Sequence, residues 1–141
     1  MSRKRKFKVK PTTGPNVKPH PSLQTPPEQR HPHFSLRYIS DKKRFCLSSC
    51  ETNEKAAFAE RLYRLSQMTW AQIRQQDRHG LGYEKIPRSA LKTKIPDHIK
   101  DDVGIVAFRF QGLKAMVGYK IGHVFYIVWL DRLFKLYNHG K

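Results

Sequence analysis

The sequence predicts an α+β fold in which a two-helix hairpin packs on one face of a small, mainly antiparallel sheet, with a disordered basic arm at the N-terminus. Three observations predict it. Apolar residues between 52 and 74 recur at helical spacings, and those from 104 onward alternate as in successive strands. Residues 1–32 are basic and proline-rich, unlike the rest. We therefore expect an arm over residues 1–32 and a single domain over residues 33–141.

The arm holds eight basic residues against one acidic residue, and seven of the nine prolines of the chain. Its few large apolar residues cannot offset the entropy lost on ordering, which favours a disordered or polyproline-like segment. The basic residues at its start predict contacts with nucleic-acid phosphates: Arg3, Lys4, Arg5, Lys6, Lys8 and Lys10. A solubilising tail or an address signal is the alternative interpretation.

The domain begins with a pattern of period two over residues 33–39, where Phe34, Leu36 and Tyr38 share one face. That alternation is typical of a half-buried strand. Residues 44–48 predict a second, short extended segment.

Two helices are expected next. Thr52 or Asn53 can cap the first, and the apolar residues Phe58, Leu62 and Leu65 form its buried stripe up to about residue 67.

The second helix begins with a capping box formed by Thr69 and Gln72. Trp70 and Ile73 supply its apolar contacts, and Gly80 is a suitable residue to end it. Glycine and proline interrupt the following stretch, so residues 80–100 are expected to be largely irregular.

The last third of the chain predicts an antiparallel meander. Turns are expected at Gly112 and Gly122, and a central strand covered on both faces is expected at 123–130, where nearly every residue is apolar. The predicted strands span 105–110, 113–121, 123–130 and 134–137.

The net charge of +17 in 141 residues indicates a polyanionic partner, such as RNA or the ribosome. About +10 of it belongs to residues 33–141. No apolar run is long enough for a membrane span, and no apolar stretch follows the basic start as in a secretory signal. We expect a soluble cytoplasmic protein, with no membrane contact and no small-molecule cofactor.

Two cysteines are too few for a disulfide scaffold. Cys46 and Cys50 lack a second pair at zinc-ligand spacing and do not have the CxxC spacing of redox dithiols. We interpret them as structural thiols, and no metal site is predicted.

The segment from residue 78 to residue 85 brings an imidazole, two glycines, a carboxylate and a lysine together. His79 as a general base with Glu84 as its partner, and Lys85 beside them, is one interpretation. The alternative is a helix C-cap followed by polar loop residues. The segment does not have the spacing of a phosphate-binding Walker loop.

A third group of candidates lies on the predicted sheet. Alternation points Arg109 away from Val106, Phe108 and Phe110. The other candidates of this group are Lys114, Lys120, Lys135, Tyr137 and His139. Cations, a phenol and an imidazole on one face could bind RNA phosphates and promote attack by a ribose 2′-hydroxyl without a metal. The alternative is a solvated sheet face.

Four segments of the predicted meander and tail are AFRF at 107–110, MVGY at 116–119, VFYIVWL at 124–130 and KLYNH at 135–139. Together with the order of one strand, two helices and a meander with a Tyr/His-containing tail, these segments resemble the RelE/ParE-type toxin superfamily over about residues 33–140.

The resemblance implies a ribosome-dependent mRNA endonuclease or a gyrase-directed poison, held inactive by an antitoxin. It implies that Arg109 and Lys120 bind phosphate and that Tyr137 and His139 transfer protons. Two other functions stay open. One is a non-enzymatic nucleic-acid-binding module, which the charge favours; the other is an accessory protein that binds an acidic protein partner.

Overall fold

The computed structural model describes residues 25–139, so the basic residues predicted in the arm, from Arg3 to Lys10, lie outside the described residues. It confirms an α+β fold with a five-stranded, mostly antiparallel sheet and two helices. The elements are β1 (His33–Ser35), α1 (Thr52–Ser66), α2 (Trp70–Arg74), β2 (Tyr83–Ile86), β3 (Ile105–Gln111), β4 (Lys114–Ile121) and β5 (Val124–Asp131), with single turns of 3-10 helix at Pro27–Gln29 and Arg88–Ala90. Within residues 25–139, no helix is both long enough and apolar enough to cross a membrane.

The strand order is β1-β5-β4-β3-β2. The meander of β3, β4 and β5 is antiparallel as predicted, β2 pairs antiparallel with β3, and β1 runs parallel to β5. Gly112 and Gly122 occupy the two predicted turns with φ of 57° and 61°, a left-handed conformation that glycine adopts without steric cost.

Alternation along the strands gives the sheet two buried faces. One, which we call the helix face, carries Phe108 on β3, Met116 on β4 and Phe125 on β5, and these pack with Phe58 of α1 and Trp70 of α2. The prediction that the central strand is covered on both sides is confirmed for β5.

The opposite face, which we call the loop face, is covered without α-helices. Ala107, Val117 and Trp129 pack there against side chains of the loop over residues 87–103 and of the C-terminal residues 132–139, including Ile99 and Leu136. The two covering segments are joined by a hydrogen bond from the Lys92 amide to the Leu136 carbonyl, at 2.7 Å. A second apolar core thus lies where the sequence predicts mainly irregular chain.

Several predicted elements are wrong in extent or kind. The segment 44–48 is a turn rather than a strand, because Phe45 is fully buried and its carbonyl accepts from the Leu130 amide at the end of β5. Residues 134–137 form bends instead of a last strand. The irregular stretch 80–100 contains the edge strand β2, whose mixed composition gave no alternating signal.

The helix boundaries also differ. Glu51, not Thr52 or Asn53, caps α1 through a capping box with Glu54. The box of Thr69 and Gln72 is confirmed at α2, but this helix ends at Arg74, well before Gly80. The first strand stops at Ser35 because the chain turns away and rejoins β5 through a hydrogen bond from the Ser40 amide to the Val128 carbonyl.

A buried ion cluster joins the start of α1 to β4 and to the end of β5. Glu54 is 2% exposed and accepts from Lys114 Nζ at 2.8 Å and from Arg132 Nε at 2.9 Å. Burial alone would raise the pKa of Glu54, but hydrogen bonds from Lys114, the Glu51 amide and Arg132 outweigh it and lower that pKa to about 2.

We expect Glu54→Gln to lower the free energy of unfolding by about 2–3 kcal/mol at neutral pH, because both cations lose their buried carboxylate. Since the folded-state pKa lies near 2 and the ordinary value is 4.5, the stabilisation is complete above about pH 4.5. It is lost as the pH falls towards 2, so variant and wild type should converge there.

Urea unfolding at a series of pH values measures this effect. Glu60→Gln, at an exposed position on the same helix, is the matched control. A difference between wild type and Glu54→Gln that does not shrink at low pH would contradict the electrostatic explanation.

Candidate functional site

A cleft of about 410 Å³ lies at the β2 edge of the loop face. Its walls come from the connection between α2 and β2, from β2 itself, from β3 and from the C-terminal tail. The polar residues lining it are Arg78, His79, Glu84, Lys85, Arg109, Tyr137, Asn138 and His139. The structure therefore brings together two groups of candidates that were separate in the sequence: those near residue 80 and those near the C-terminus.

His79 is presented by a tight turn. The carbonyl of Asp77 accepts from the amides of Gly80 and Gly82, and its carboxylate accepts from the His79 amide at 2.8 Å. Gly82 is required because a Cβ there would lie 2.3 Å from the Gln76 carbonyl oxygen. The interpretation of Gly80 as a helix C-cap is wrong, since α2 has ended six residues earlier.

Arg109 contacts the imidazole of His79. The guanidinium Nη1 lies 2.6 Å from His79 Nδ1. A guanidinium can only donate, so Nδ1 accepts this hydrogen bond and the ring hydrogen lies on Nε2. The pair holds a fixed positive charge beside a ring nitrogen that can donate a hydrogen bond into the cleft.

A bulge in β3 accompanies this placement. Arg109 pairs with Ala115, but Gln111 already pairs with Lys114, so one extra residue lies on β3 next to Arg109. Such bulges bend a strand and re-aim the adjacent side chains. The bulge lies where β3 borders the cleft.

Glu84 supplies the carboxylate of the cleft. Its Oε2 accepts from Arg78 Nη1 at 3.0 Å, and its Oε1 lies 3.4 Å from the Tyr137 hydroxyl, a long hydrogen bond. Its side chain is 23% exposed, so the carboxylate remains accessible from the cleft.

The Tyr137 hydroxyl keeps its proton and does not act as a base. Burial raises the pKa of Tyr137 far above its ordinary value, and the neighbouring carboxylates of Glu84 and Asp131 raise it further. Its hydroxyl therefore stays protonated and donates towards Glu84.

The C-terminal tail is held by Asp131, which is fully buried. Its carboxylate accepts from the amides of Lys135 and Leu136 at 2.8 and 3.2 Å and from His139 Nε2 at 2.5 Å. His139 in turn stacks on Tyr137, with ring centroids 4.0 Å apart. Sequence reasoning did not identify this role of Asp131, although an acid directly after an apolar strand was the available signal.

The two lysines predicted on β4 do not reach the cleft. Lys120 lies on the helix face, where its Nζ is 5.0 Å from the Trp70 ring centroid and 3.0 Å from Glu28 Oε1. Lys114 pairs with Glu54. The expectation that Arg109, Lys114 and Lys120 share one face is wrong, because the pairing register of β3 and β4 places Arg109 on the opposite side.

Lys135 lies in a different groove, on the other side of the C-terminal turn, with Lys42, Lys43 and Arg44.

Cys46 and Cys50 are free thiols, the second of them buried. Within the described part of the chain, no group of three or more His, Cys, Asp or Glu side chains is arranged to hold a metal ion.

No protein-family model, curated protein or solved structure matches this chain. The RelE/ParE resemblance therefore stays a prediction.

The cleft combines two hydrogen-bonded groups, Arg109 with His79 and Glu84 with Arg78 and Tyr137. Cations bind a phosphate and stabilise charge that develops on it, while a carboxylate and an imidazole can accept and donate protons. The residue types in the cleft are suited to acid–base chemistry on a phosphodiester.

We expect Asp131→Asn to lower the free energy of unfolding by roughly 2 kcal/mol, because an amide cannot accept all three hydrogen bonds and leaves a buried donor unpaired. Hydrogen exchange at the amides of residues 135 and 136 should accelerate as the turn loosens. Asp102→Asn, at an exposed position, is the control. Unchanged exchange at both amides would contradict the role of Asp131 in holding the tail.

Proposed function

We propose that this protein is a metal-independent endoribonuclease of the RelE/ParE toxin type, which cuts RNA in the cleft at the β2 edge. The observation that carries the proposal is the contact of Arg109 with His79 in a cleft that also holds Glu84. It pairs a phosphate-binding cation with two groups able to transfer protons.

In this proposal Glu84 is the general base and His79 the general acid. Glu84 takes the proton of a ribose 2′-hydroxyl, whose oxygen then attacks the adjacent phosphorus. When a phosphate binds, Arg109 turns from His79 Nδ1 to the phosphate oxygens, and Nδ1 takes up a proton from solvent. The resulting imidazolium passes its Nε2 hydrogen to the departing 5′-oxygen and becomes a neutral ring again. The products are a 2′,3′-cyclic phosphate and a 5′-hydroxyl, and no water, metal or oxidant is consumed.

The cations at the cleft wall stabilise the charge that develops on the phosphoryl oxygens. Arg109 is the principal one, because its contact with His79 puts the guanidinium beside the proposed acid. Arg78 and Lys85 are exposed at the rim and meet the approaching strand. An arginine fork suits phosphate because it can donate two parallel hydrogen bonds.

Tyr137 and His139, which the family resemblance implies as proton carriers, take positioning roles in this proposal. The hydroxyl of Tyr137 orients Glu84 through its long hydrogen bond, and the His139 ring holds the Tyr137 ring in place by stacking on it. His139 has its Nε2 engaged by Asp131, which leaves this nitrogen no proton to transfer to substrate without breaking a buried contact.

The same proposal assigns two partners. A ribosome would present the RNA, and an acidic antitoxin would cover the basic cleft when the nuclease is held inactive. The net charge of +17 supports both, because a strongly cationic protein associates fast and selectively with anionic surfaces.

We expect His79→Ala and Glu84→Gln each to lower the rate of RNA cleavage by about 10²–10⁴-fold, the usual range for losing one acid or base. Arg109→Lys should lower the rate by about 10²-fold, because the ammonium cannot reproduce the forked contact. The assay follows cleavage of purified RNA, alone and on ribosomes, with mass analysis of the new ends.

His31→Ala is the matched control, since this histidine contacts the Ser66 carbonyl at the far side of the domain. Ends other than a cyclic phosphate and a 5′-hydroxyl would contradict the mechanism. Salt-sensitive RNA binding without any cleavage would favour the non-enzymatic binding module instead.

A further inference from the structure

A second basic groove borders the C-terminal turn. It is lined by Lys42, Lys43, Arg44, Leu133 and Lys135 and measures about 610 Å³. Among the described residues, none of its four cations forms an ion pair. Lys42 instead donates to the Thr93 hydroxyl at 3.1 Å, and the guanidinium of Arg44 lies 5.5 Å from the Phe45 ring centroid. Unpaired cations that line one groove favour an anionic ligand.

Phe134 lies on the turn beside this groove in an unusual conformation. Its φ is 58°, the only positive value for a residue other than glycine in the described part of the chain, and the residue is 44% exposed. A bulky residue in this region is an outlier that persists only where the surroundings over-determine it. The hydrogen bonds that Asp131 accepts from Lys135 and His139, which both follow Phe134 in the chain, supply that constraint.

The groove and the cleft are connected by a series of rings. Phe134 meets His139 edge to face with centroids 4.9 Å apart, and His139 stacks on Tyr137. Lys135 is two residues from Tyr137, so their Cα atoms lie within about 7 Å of each other. The C-terminal segment over residues 133–139 therefore contributes to the walls of both the groove and the cleft.

We propose that this groove binds the part of a single-stranded RNA that extends beyond the cleft, and that the Phe134 ring stacks on one of the unpaired bases. The proposal rests on the proposed function for the identity of the ligand. Lysines and arginine meet the phosphates, and the exposed ring of Phe134 accepts the face of an unpaired base. Alternating cations and aromatic faces bind single strands in this way, because every base has a face on which to stack.

A double-stranded ligand fits the turn less well, since its bases are already stacked and paired. The residues that line the groove are three lysines, an arginine and a leucine, and none of them carries the amide or carboxylate group that reads adenine or cytosine. We therefore expect binding of an unpaired strand with little sequence preference, and strong dependence on salt.

The test measures binding of fluorescent oligouridylates to the full chain carrying Glu84→Gln, which slows cleavage enough for binding to be measured. A short probe of about four nucleotides fits the cleft, and a long one of about sixteen also reaches the groove. The variant Lys42→Ala/Lys43→Ala/Lys135→Ala should bind the long probe at least about tenfold more weakly, with a salt slope lower by about 2. Its affinity for the short probe should not change.

Phe134→Gly separates stacking from folding, because glycine adopts the positive φ without strain and the fold is expected to gain stability. This variant should nevertheless bind the long probe about 5- to 100-fold more weakly. Phe134→Trp should retain binding. The control for a general loss of positive charge is Lys55→Ala/Arg64→Ala on α1, at exposed positions of the opposite face, which removes two cations outside the groove.

Equal losses for short and long probes, or no loss for the long probe, would overturn the groove proposal even if the wild-type protein cleaves RNA. Conversely, if the wild-type protein does not cleave RNA but the groove variants show the length-dependent losses of binding, the nuclease proposal is overturned and the groove proposal stands. Failure to bind either probe overturns both.

Discussion

The C-terminal part of the molecule depends on the hydrogen bonds that the buried carboxylate of Asp131 accepts. Asp131 ends β5 and accepts from two backbone amides and from His139, so a segment without regular structure is held in one conformation. Leu136 and Tyr137 are thereby buried against the loop face. The position of the Tyr137 hydroxyl, the stack of His139 and the strained backbone of Phe134 all follow from this single acceptor.

The C-terminal segment that Asp131 holds packs on one face of the sheet. Helices cover one of its faces, and irregular chain covers the other, so the loop face has room at the β2 edge for a cleft. Glu84 enters that cleft from the edge strand and Arg109 from the neighbouring strand, and the register of β2 and β3 fixes their separation. His79 arrives from a turn whose geometry depends on Gly82.

The elements with strong periodicity were predicted well. The meander of β3, β4 and β5, the turns at Gly112 and Gly122 and the capping box at Thr69 follow from local patterns, and the structure confirms them. The failures concern segments whose conformation comes from distant contacts. The turn around Phe45 depends on β5, and the tail after Asp131 depends on a carboxylate that precedes it by four to eight residues.

By itself the sequence determined the α+β class, the basic character of the chain and the residue types available for chemistry. Only the tertiary structure decided which of them meet. Lys120 and Lys114 satisfy carboxylates on the helix face, whereas Arg109, His79, Glu84 and Tyr137 converge from four separate segments. The physical reason is that alternation places a side chain on one face of its own strand, but the pairing register and long-range hydrogen bonds decide what lies opposite.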